Sequence, residues 1–391
     1  MKTLFIYSKP KKGFSGQAAA TELIVEGLSD RGYSKVKLLT PALDRTASKI
    51  SLLVYLFYLL SLTKCFLSAG VLRFSSLAAV HVTLGQTPIA MLRDGICLFL
   101  STLGRRSSSF VCVVALNGSL FSEWHHGCLE ARLFRWIIKR CDYVTCLGAK
   151  HKEILVELGI PRSKVVIVPN VSEYSGASAR FVQTKHELGD KVIRILFLSS
   201  LIDTKGFPEY LEAIHGLSPP EGFKIHATLC GPITITPYSE RFRSFDEAQQ
   251  WVNKKISLIN GSPSVHLERM EQAKGIEKQA LFEQAHIFVL PSRYKVEAQP
   301  LVVIEAMAFG CAVVTSTVGE LPSTVDDKSA IILEDPNTLN VTQAIATLCN
   351  DDELRAKIAL GGLSRFTRDF NRERYLERWE HLMFKRQILD Q

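Results

Sequence analysis

Short apolar runs alternate with helical patterns along most of the chain. The runs are rich in β-branched and aromatic residues, which is typical of buried strands. In the first half they lie at residues 3–7, 36–39, 80–84, 110–116, 143–147 and 165–168. In the second half they lie at residues 193–198, 224–229, 286–290, 312–315 and 330–333. Strands that alternate with helices predict an α/β fold in which parallel sheets are covered on both faces.

Helical periodicity occupies many of the intervals between these runs. The predicted helices are 17–31, 130–140, 150–158, 206–214, 245–256 and 301–309, with a charged helical stretch at 354–387. Residues 172–180 (SEYSGASAR) are small and polar and separate two such series. At about 150 residues per domain, a chain of 391 residues accommodates two domains. We therefore predict two α/β domains in tandem, with ligands beyond the carboxyl ends of their strands.

Composition and charge exclude some classes of protein and suggest one kind of partner. Hydrophobic residues make up 47% and charged residues 22% of the chain, which excludes a disordered or collagen-like protein. The net charge is +8, but residues 1–175 carry 22 basic and 11 acidic side chains. A basic first half suggests an anionic partner, and without zinc-finger spacing or an RNP-type motif we predict an anionic membrane surface rather than nucleic acid.

One segment of the basic half supports a membrane. Residues 50–72 (ISLLVYLFYLLSLTKCFLSAGVL) are apolar apart from small polar residues and Lys64. A membrane span needs about 20 apolar residues, and a central lysine costs roughly 2.5–3.5 kcal/mol on insertion. Only residues 50–63 are free of charge. A buried core helix and a helix in the bilayer interface both remain open, and a true span is the third alternative.

The expected location is a reducing compartment. Nine cysteines are scattered along the chain with no Cys-x-x-Cys pair, which predicts free thiols rather than a disulfide framework or a zinc site. Residues 1–7 predict a first strand and not a secretory signal. We therefore expect a cytoplasmic protein, either free or attached to the cytoplasmic face of a membrane.

The most specific segment is residues 290–310 (LPSRYKVEAQPLVVIEAMAFG). A strand ends here, a loop carries Glu297, and a helix that follows Pro300 carries Glu305 near its N-terminus. A helix start offers unpaired N–H groups and a positive dipole end, both of which suit a phosphate. Two isolated glutamates could equally be a solvated loop residue and a side chain that complements the helix dipole.

The whole segment resembles the Glu-x7-Glu motif of family 4 glycosyltransferases. The matching residues are Pro291, Ser292, Glu297, Pro300, Glu305, Ala306, Met307, Ala308 and Gly310, while Ala298 replaces the usual glycine. The resemblance implies the GT-B fold, two Rossmann-like doubly wound domains that face each other across a cleft, and a retaining reaction. It also implies that Glu297 faces the donor sugar and Glu305 the ribose. The backbone of Ala298, Gln299, Pro300 and Leu301 would then contact the diphosphate.

A second matching segment is residues 197–206 (FLSSLIDTKG). In the family this position commonly carries an arginine and a lysine that bind the donor diphosphate. Lys205 matches the lysine, whose cation would neutralise charge on the departing diphosphate, and Ser200 stands where the arginine usually is. Alone, Lys205 could be a solvated loop lysine. Gly231, in the Cys-Gly-Pro turn after a strand, matches the glycine-containing turn of the family and is assigned to the donor site.

The first half resembles a bacterial polysaccharide-assembly subgroup at residues 81–94 and 116–121. That subgroup usually has a histidine where this chain has Asn117. Asparagine does not titrate, so we expect Asn117 to hydrogen-bond the donor sugar or the acceptor rather than transfer a proton. Gly13 and Gly16, in the loop after the first strand, are candidates for backbone contact with a phosphate or an acceptor.

The resemblance also implies a division of labour between the domains. Residues 1–175, joined by a C-terminal helix at about 366–391, would bind the acceptor, and residues 181–365 would bind the nucleotide sugar. No Asp-x-Asp triplet is present, so we expect catalysis without a metal. No cofactor is expected either, since the nucleotide diphosphate sugar is a substrate.

The predicted function is that of a retaining glycosyltransferase. It would move a sugar from a nucleotide diphosphate sugar to a lipid-linked or growing glycan in cell-surface polysaccharide synthesis. Catalytic roles fall to Glu297, Lys205 and Asn117. The alternative is a non-catalytic binding or scaffold subunit of a glycan-assembly complex, because Ser200, Ala298 and Asn117 all depart from the family pattern.

Overall fold

The structure is a computed structural model that describes residues 2–8, 16–41, 52–74, 76–104 and 110–385. The chain divides into two compact units. Unit 1 comprises residues 1–170 together with 372–391, and unit 2 comprises residues 171–371. Each unit has its own hydrophobic core around one parallel sheet.

Six parallel strands form the sheet of unit 1. They are β1 (Lys2–Ser8), β2 (Ser34–Thr40), β3 (Leu77–Thr83), β4 (Val111–Ala115), β5 (Tyr143–Cys146) and β6 (Val165–Ile167). Their order across the sheet is β2-β1-β3-β4-β5-β6. The central strands are almost wholly buried because their side chains are covered on both faces.

Five helices of unit 1 lie between or beside these strands in the sequence. They are α1 (Gly16–Asp30), α2 (Leu52–Leu72), α3 (Pro88–Thr102), α4 (Leu129–Ile138) and α5 (Ala149–Glu157). Gly16 is therefore the first residue of α1, and its assignment to the preceding loop is wrong. Gly13 lies outside the described residues.

Helix α2 corresponds to the apolar segment of the sequence. The core-helix interpretation is wrong for most of its described side chains, because only Cys65 and Ala69 are buried. Across the described part of the chain, no helix combines the length and the hydropathy needed to cross a bilayer.

Unit 2 contains a second six-stranded parallel sheet. Its strands are β7 (Val192–Leu198), β8 (Lys224–Cys230), β9 (Val265–Met270), β10 (Ile287–Leu290), β11 (Ala312–Ser316) and β12 (Ala330–Leu333). The order is β12-β11-β10-β7-β8-β9. Successive strands are added on one side as far as β9 and on the other side from β10 onward. The point of reversal, between β7 and β10, is where doubly wound sheets open a crevice for ligands.

Helices cover the sheet of unit 2. They are α6 (Ala179–His186), α7 (Phe207–Gly216), α8 (Phe245–Ile259), α9 (Gly275–Gln284), α10 (Leu301–Ala308), α11 (Leu321–Thr324), α12 (Thr338–Asn350) and α13 (Asp352–Asp369). Several of these helices begin at a capping residue whose side chain accepts a hydrogen bond from a backbone amide of the first turn. Ser244 accepts a hydrogen bond from the amide of Glu247 at the start of α8, and Asp351 accepts one from Leu354 at the start of α13.

The last helix, α14 (Arg372–Glu380), belongs to unit 1. Trp379 packs edge-on against the ring of His81 in β3, at 4.8 Å between centroids. Arg31 and Tyr33, which follow α1, both bind Glu380, at 2.5 and 2.9 Å. The predicted helical stretch 354–387 is thus interrupted at Phe370 and Asn371, where the chain leaves one unit for the other.

The predicted fold class is confirmed, and every predicted strand is present. The sequence analysis missed α3, α6, α9, α11, α12 and β9. Helix α9 is weakly amphipathic and buries only Phe282, and β9 alternates apolar with charged residues. Segments with such weak patterns form a helix or a strand because they pack against neighbouring elements, and their local sequence does not specify the choice.

Candidate functional site

An ion pair joins the two loops at the reversal point of the unit 2 sheet. Lys205 follows β7 and Glu297 follows β10. The Nζ atom of Lys205 lies 3.3 Å from Oε1 and 3.2 Å from Oε2 of Glu297. Glu297 is only 6% exposed, so it is not a solvated loop residue. The side-chain hydroxyl of Ser292 donates a second hydrogen bond to Oε2, at 3.2 Å.

Asp203 holds the loop that carries Lys205. Its buried carboxylate accepts hydrogen bonds from the amides of Glu240, Arg241 and Phe242, at 2.8, 2.5 and 3.2 Å. These bonds fasten the loop after β7 to a segment nearly forty residues further along. The sequence analysis did not assign Asp203, because a carboxylate two residues before a lysine carries no signal of long-range contacts.

Gly206 brings the same loop against the end of β10. Its φ angle is +89°, in the left-handed region, and a Cβ atom here would lie 2.5 Å from the carbonyl oxygen of Pro291. Only glycine combines this conformation with so close an approach. The contact explains how Lys205 reaches Glu297, 92 residues away in the sequence.

Glu305 lies in the second turn of α10 rather than at its N-terminus, and it is 2% exposed. Its Oε1 atom accepts a hydrogen bond of 2.6 Å from Nζ of Lys278 in α9. Its Oε2 atom is buried and has no hydrogen-bond partner within the described ranges. Burial raises the pKa of Glu305, while Lys278 acts to lower it. An unpartnered buried carboxylate oxygen is costly, and it is a natural acceptor for hydroxyl groups of a ligand.

Gly231 and Ser200 occupy the neighbouring ends of β8 and β7. The φ angle of Gly231 is +137°, and a Cβ atom there would overlap the carbonyl oxygen of Ser199. The Gly231 amide donates to Met270, at 3.0 Å, and its carbonyl accepts from Arg269, at 2.6 Å. The side chain of Ser200 is exposed. The candidate donor-site residues of unit 2 therefore all lie beyond the carboxyl ends of its strands or in α10.

Comparison with known proteins identifies this unit. The family described as "Glycosyl transferases group 1" matches residues 179–362, which lie within unit 2. Unit 2 belongs to the glycosyl transferases group 1. The resemblance to family 4 glycosyltransferases predicted from the sequence is thereby confirmed.

One curated relative is WcaL of Escherichia coli (strain K12), named as a colanic acid biosynthesis glycosyltransferase. It is 25% identical over 247 residues, 61% of this chain, and the match spans just over half of its own length, 56%.

Two solved structures share the fold of the chain. HepE of Anabaena, in complex with UDP and glucose, has a TM-score of 0.66 at 14% identity, covering 97% of this chain and 98% of that one. The lipopolysaccharide outer core galactosyltransferase WaaB has a TM-score of 0.61 at 14% identity, covering 99% and 100%. The GT-B fold is thus confirmed.

The residues between Glu297 and Glu305 differ in which of their groups already form hydrogen bonds within this glycosyl transferase unit. The buried side chain of Gln299 donates to the hydroxyl of Thr324, at 3.0 Å, so its amide nitrogen is already engaged within the unit. The carbonyl of Ala298 accepts from the amide of Glu320, at 2.9 Å. Pro300 precedes α10 without a side-chain cap, and Leu301 is half-buried. Backbone groups at this helix start remain suited to a phosphate.

Asn117 belongs to unit 1, where it follows β4. Its Nδ2 atom is buried and has no hydrogen-bond partner among the described residues. The neighbouring loop is well ordered by Gln86, which donates to the carbonyl of Gly118 at 2.8 Å and accepts from the amide of Phe121 at 3.1 Å. Asn117 is therefore a polar group held at the carboxyl edge of its own sheet, and its role in transfer stays a prediction.

Replacing Gly231 with alanine is expected to destabilise the glycosyl transferase unit by about 3 kcal/mol, since the new Cβ displaces the backbone of Ser199 and must adopt a strained φ. Urea unfolding measures the effect. The matched control is Gly216→Ala at the end of α7, where a Cβ meets nothing within 4 Å. Its expected change is at most about 1 kcal/mol. If the two variants had equal free energies of unfolding, the close approach of Gly231 to the Ser199 backbone would be contradicted.

Proposed function

We propose that this chain is a retaining glycosyltransferase. It transfers a sugar from a nucleotide diphosphate sugar to a lipid-linked or growing glycan in cell-surface polysaccharide synthesis, and it needs no metal. The observation that carries the proposal is that one glycosyl transferase unit holds both the unpartnered, buried Oε2 of Glu305 in α10 and the Lys205–Glu297 pair at the reversal point of its sheet. Carboxylates that accept from hydroxyls, next to a cation for phosphate, match the two parts of such a donor.

The geometry supports a division of roles within the donor site. Glu305 accepts hydrogen bonds from the ribose hydroxyls through Oε2, while Lys278 keeps Oε1 occupied. The backbone from Ala298 to Leu301 and the start of α10 bind the diphosphate. Lys205 neutralises the charge that develops on the diphosphate as it leaves. Glu297 then orients the hydroxyls of the donor sugar.

The proposed transfer breaks the bond between the anomeric carbon and the phosphate oxygen and forms a bond from that carbon to the acceptor hydroxyl. The proton of the hydroxyl passes to an oxygen of the departing phosphate, so Glu297 is not a nucleophile. The new bond lies on the face that the phosphate leaves, and the anomeric configuration is retained. Asn117 would contribute a hydrogen bond to the donor sugar or the acceptor.

Two comparisons support the polysaccharide context of the proposal. WcaL is named for colanic acid biosynthesis and WaaB for the lipopolysaccharide outer core. The nine cysteines are free thiols, which suits a reducing compartment. We therefore propose that the enzyme acts in the cytoplasm, at the inner face of a membrane where lipid-linked acceptors are held.

The test is a thermal-shift panel of nucleotides and nucleotide sugars on the purified chain, followed by product analysis with lipid-linked acceptors. We expect one nucleotide class to raise the melting temperature. We also expect the product to keep the anomeric configuration of the donor, with activity undiminished by a chelator. A folded protein that no nucleotide stabilises would overturn the proposal and favour the scaffold subunit.

A further inference from the structure

Helix α2 carries an apolar stripe that faces away from the protein. Five large hydrophobic side chains form it, and each is more than half exposed: Phe57, Leu60, Leu67, Val71 and Phe74. Their spacing of three, seven, four and three residues places the first four on one side of the helix and Phe74 in the turn that follows it. At 1.5 Å per residue the stripe is about 26 Å long. A patch this long is unusual on a soluble monomer and marks an interaction surface.

The opposite side of α2 packs against the rest of unit 1. Cys65 and Ala69 are buried there, and the Sγ atom of Cys65 lies 3.6 Å from that of Cys97 in α3. Helix α2 also packs against α3 and β2, so it is held to unit 1. This explains why the helix is apolar all round in the sequence. One face belongs to the core, and the other needs an apolar partner.

Two neighbouring helices continue the apolar surface. Helix α3, which packs on α2, exposes Ile89 and Leu92 and ends next to the exposed Leu103. Helix α4 packs on α3, and Trp136 stacks on the ring of Phe99 with 6.3 Å between centroids. We call the outward sides of α2, α3 and α4 the apolar face of unit 1.

Most of the exposed charges around the apolar face are positive, although Glu123, Glu130 and Asp142 lie on or near α4. Exposed cations lie on or directly beside its three helices, namely Lys64, Arg73, Arg132, Lys139 and Arg140. The guanidinium of Arg140 lies 4.2 Å from the ring centroid of Phe99, so the cations border the aromatic groups closely. Residues 45–93 contain no acidic side chain at all. In the three helices the carboxylates are Asp94, which is buried against Arg93, and the half-buried Glu130.

We propose that the apolar face of unit 1 docks on the surface of an anionic lipid bilayer. The exposed side chains would enter the boundary between headgroups and acyl chains, and the cations would bind anionic headgroups. Lys64, in the middle of the stripe, can extend its ammonium to the headgroups while its stem stays apolar. The inference rests on the proposed function for its purpose, since it brings the enzyme to a membrane-held acceptor.

The test is co-sedimentation of the full chain with vesicles of phosphatidylcholine, with and without phosphatidylglycerol. We expect binding to the anionic vesicles and much weaker binding to the neutral ones. A triple variant that removes three apolar side chains of the stripe should bind the anionic vesicles at least tenfold more weakly; its changes are Leu67→Gln, Val71→Gln and Phe74→Gln. Lys64→Gln/Arg73→Gln should lower the affinity by about 25-fold on anionic vesicles only, at roughly fivefold per cation.

Matched controls come from exposed residues of unit 2. Phe245→Gln/Leu258→Gln/Leu339→Gln removes as many exposed apolar side chains, and Arg243→Gln/Lys254→Gln removes as many cations. Neither control should change vesicle binding. A wild-type chain that stays in solution, or controls that lose binding equally, would overturn the inference. So would a dimer in sedimentation velocity that the Leu67, Val71 and Phe74 changes dissociate, since a second copy would then cover the face.

Nucleotide thermal shifts without vesicles separate this inference from the proposed function. The apolar-face variants change only exposed side chains of unit 1, so they should keep both their melting temperature and their nucleotide response. Intact nucleotide binding with no vesicle binding would overturn the docking surface alone. Vesicle binding without any nucleotide response would support the surface and overturn the proposed reaction.

Discussion

Replacing Glu305 with glutamine is expected to weaken nucleotide-sugar binding by roughly ten- to a hundredfold, which corresponds to about 1.5–3 kcal/mol for hydrogen bonds to a charged group. The glutamine keeps the volume of the side chain but loses the charge that makes it a strong acceptor. It also leaves the ammonium of Lys278 half-buried without its carboxylate. Calorimetric titration with the free nucleotide and with the complete donor measures the change.

The matched control is Glu277→Gln, an exposed carboxylate on α9 one residue before Lys278. It alters the same helix and the same net charge but not the buried acceptor, so donor binding should be unchanged. A Glu305→Gln variant that binds the nucleotide as tightly as the control would remove Glu305 from the donor site.

Lys278→Met tests the same assignment through pH. Burial raises the pKa of Glu305 and Lys278 acts against that shift, while Glu173 adds to it. Without Lys278 the carboxyl group therefore keeps its proton to a higher pH. Since only the ionised group accepts hydrogen bonds at both oxygens, donor binding should be lost at a higher pH as the solution is acidified. Tyr174, whose ring lies 5.9 Å from Nζ of Lys278, also faces the pair and is unchanged in this variant. A pH profile identical to that of the wild type would argue against an ionised Glu305 in binding.

Replacing Lys205 with methionine is expected to lower kcat by about 10²–10³-fold, the loss typical of one group that stabilises charge in the transition state. Methionine keeps much of the length of the side chain and removes only its cation. The loss in kcat should exceed the loss in donor affinity, because the charge on the diphosphate grows as the sugar departs. Steady-state kinetics of transfer, with donor and acceptor varied separately, measure both quantities.

Lys295→Met is the control for this variant. Lys295 is exposed on the loop that carries Glu297, and changing it removes one cation from the same region. Its kcat should stay within about twofold of the wild type. If Lys205→Met also keeps its kcat, the lysine binds Glu297 for structural reasons, and another group must stabilise the leaving diphosphate.

Local sequence patterns predicted most of the fold and part of the candidate site. The run at 286–290, the loop with Glu297 and the helix with Glu305 follow one another within 25 residues, so their spacing alone predicted a strand, a loop and a helix. The same holds for Lys205 after its strand. Such neighbours in sequence are also neighbours in space, because a short loop cannot separate them.

Partners that come from distant segments could not be predicted in this way. Lys278 reaches Glu305 from a helix that lacked a clear apolar pattern, and Asp203 binds amides at residues 240–242. No local spacing distinguishes either side chain from a solvated charge. Their roles depend on the order of strands in the sheet, which sets which loops meet.

Helix α2 gives the same lesson for a surface. Its sequence is apolar on every side, so it predicted burial without saying by what. Only the packing of Cys65 and Ala69 against unit 1 decided which side is covered and which is exposed. The sequence by itself therefore determined most of the elements, the family motif and the uneven charge of this protein. The tertiary structure decided which charges pair and which apolar side chains face solvent, because both depend on contacts between residues far apart in the chain.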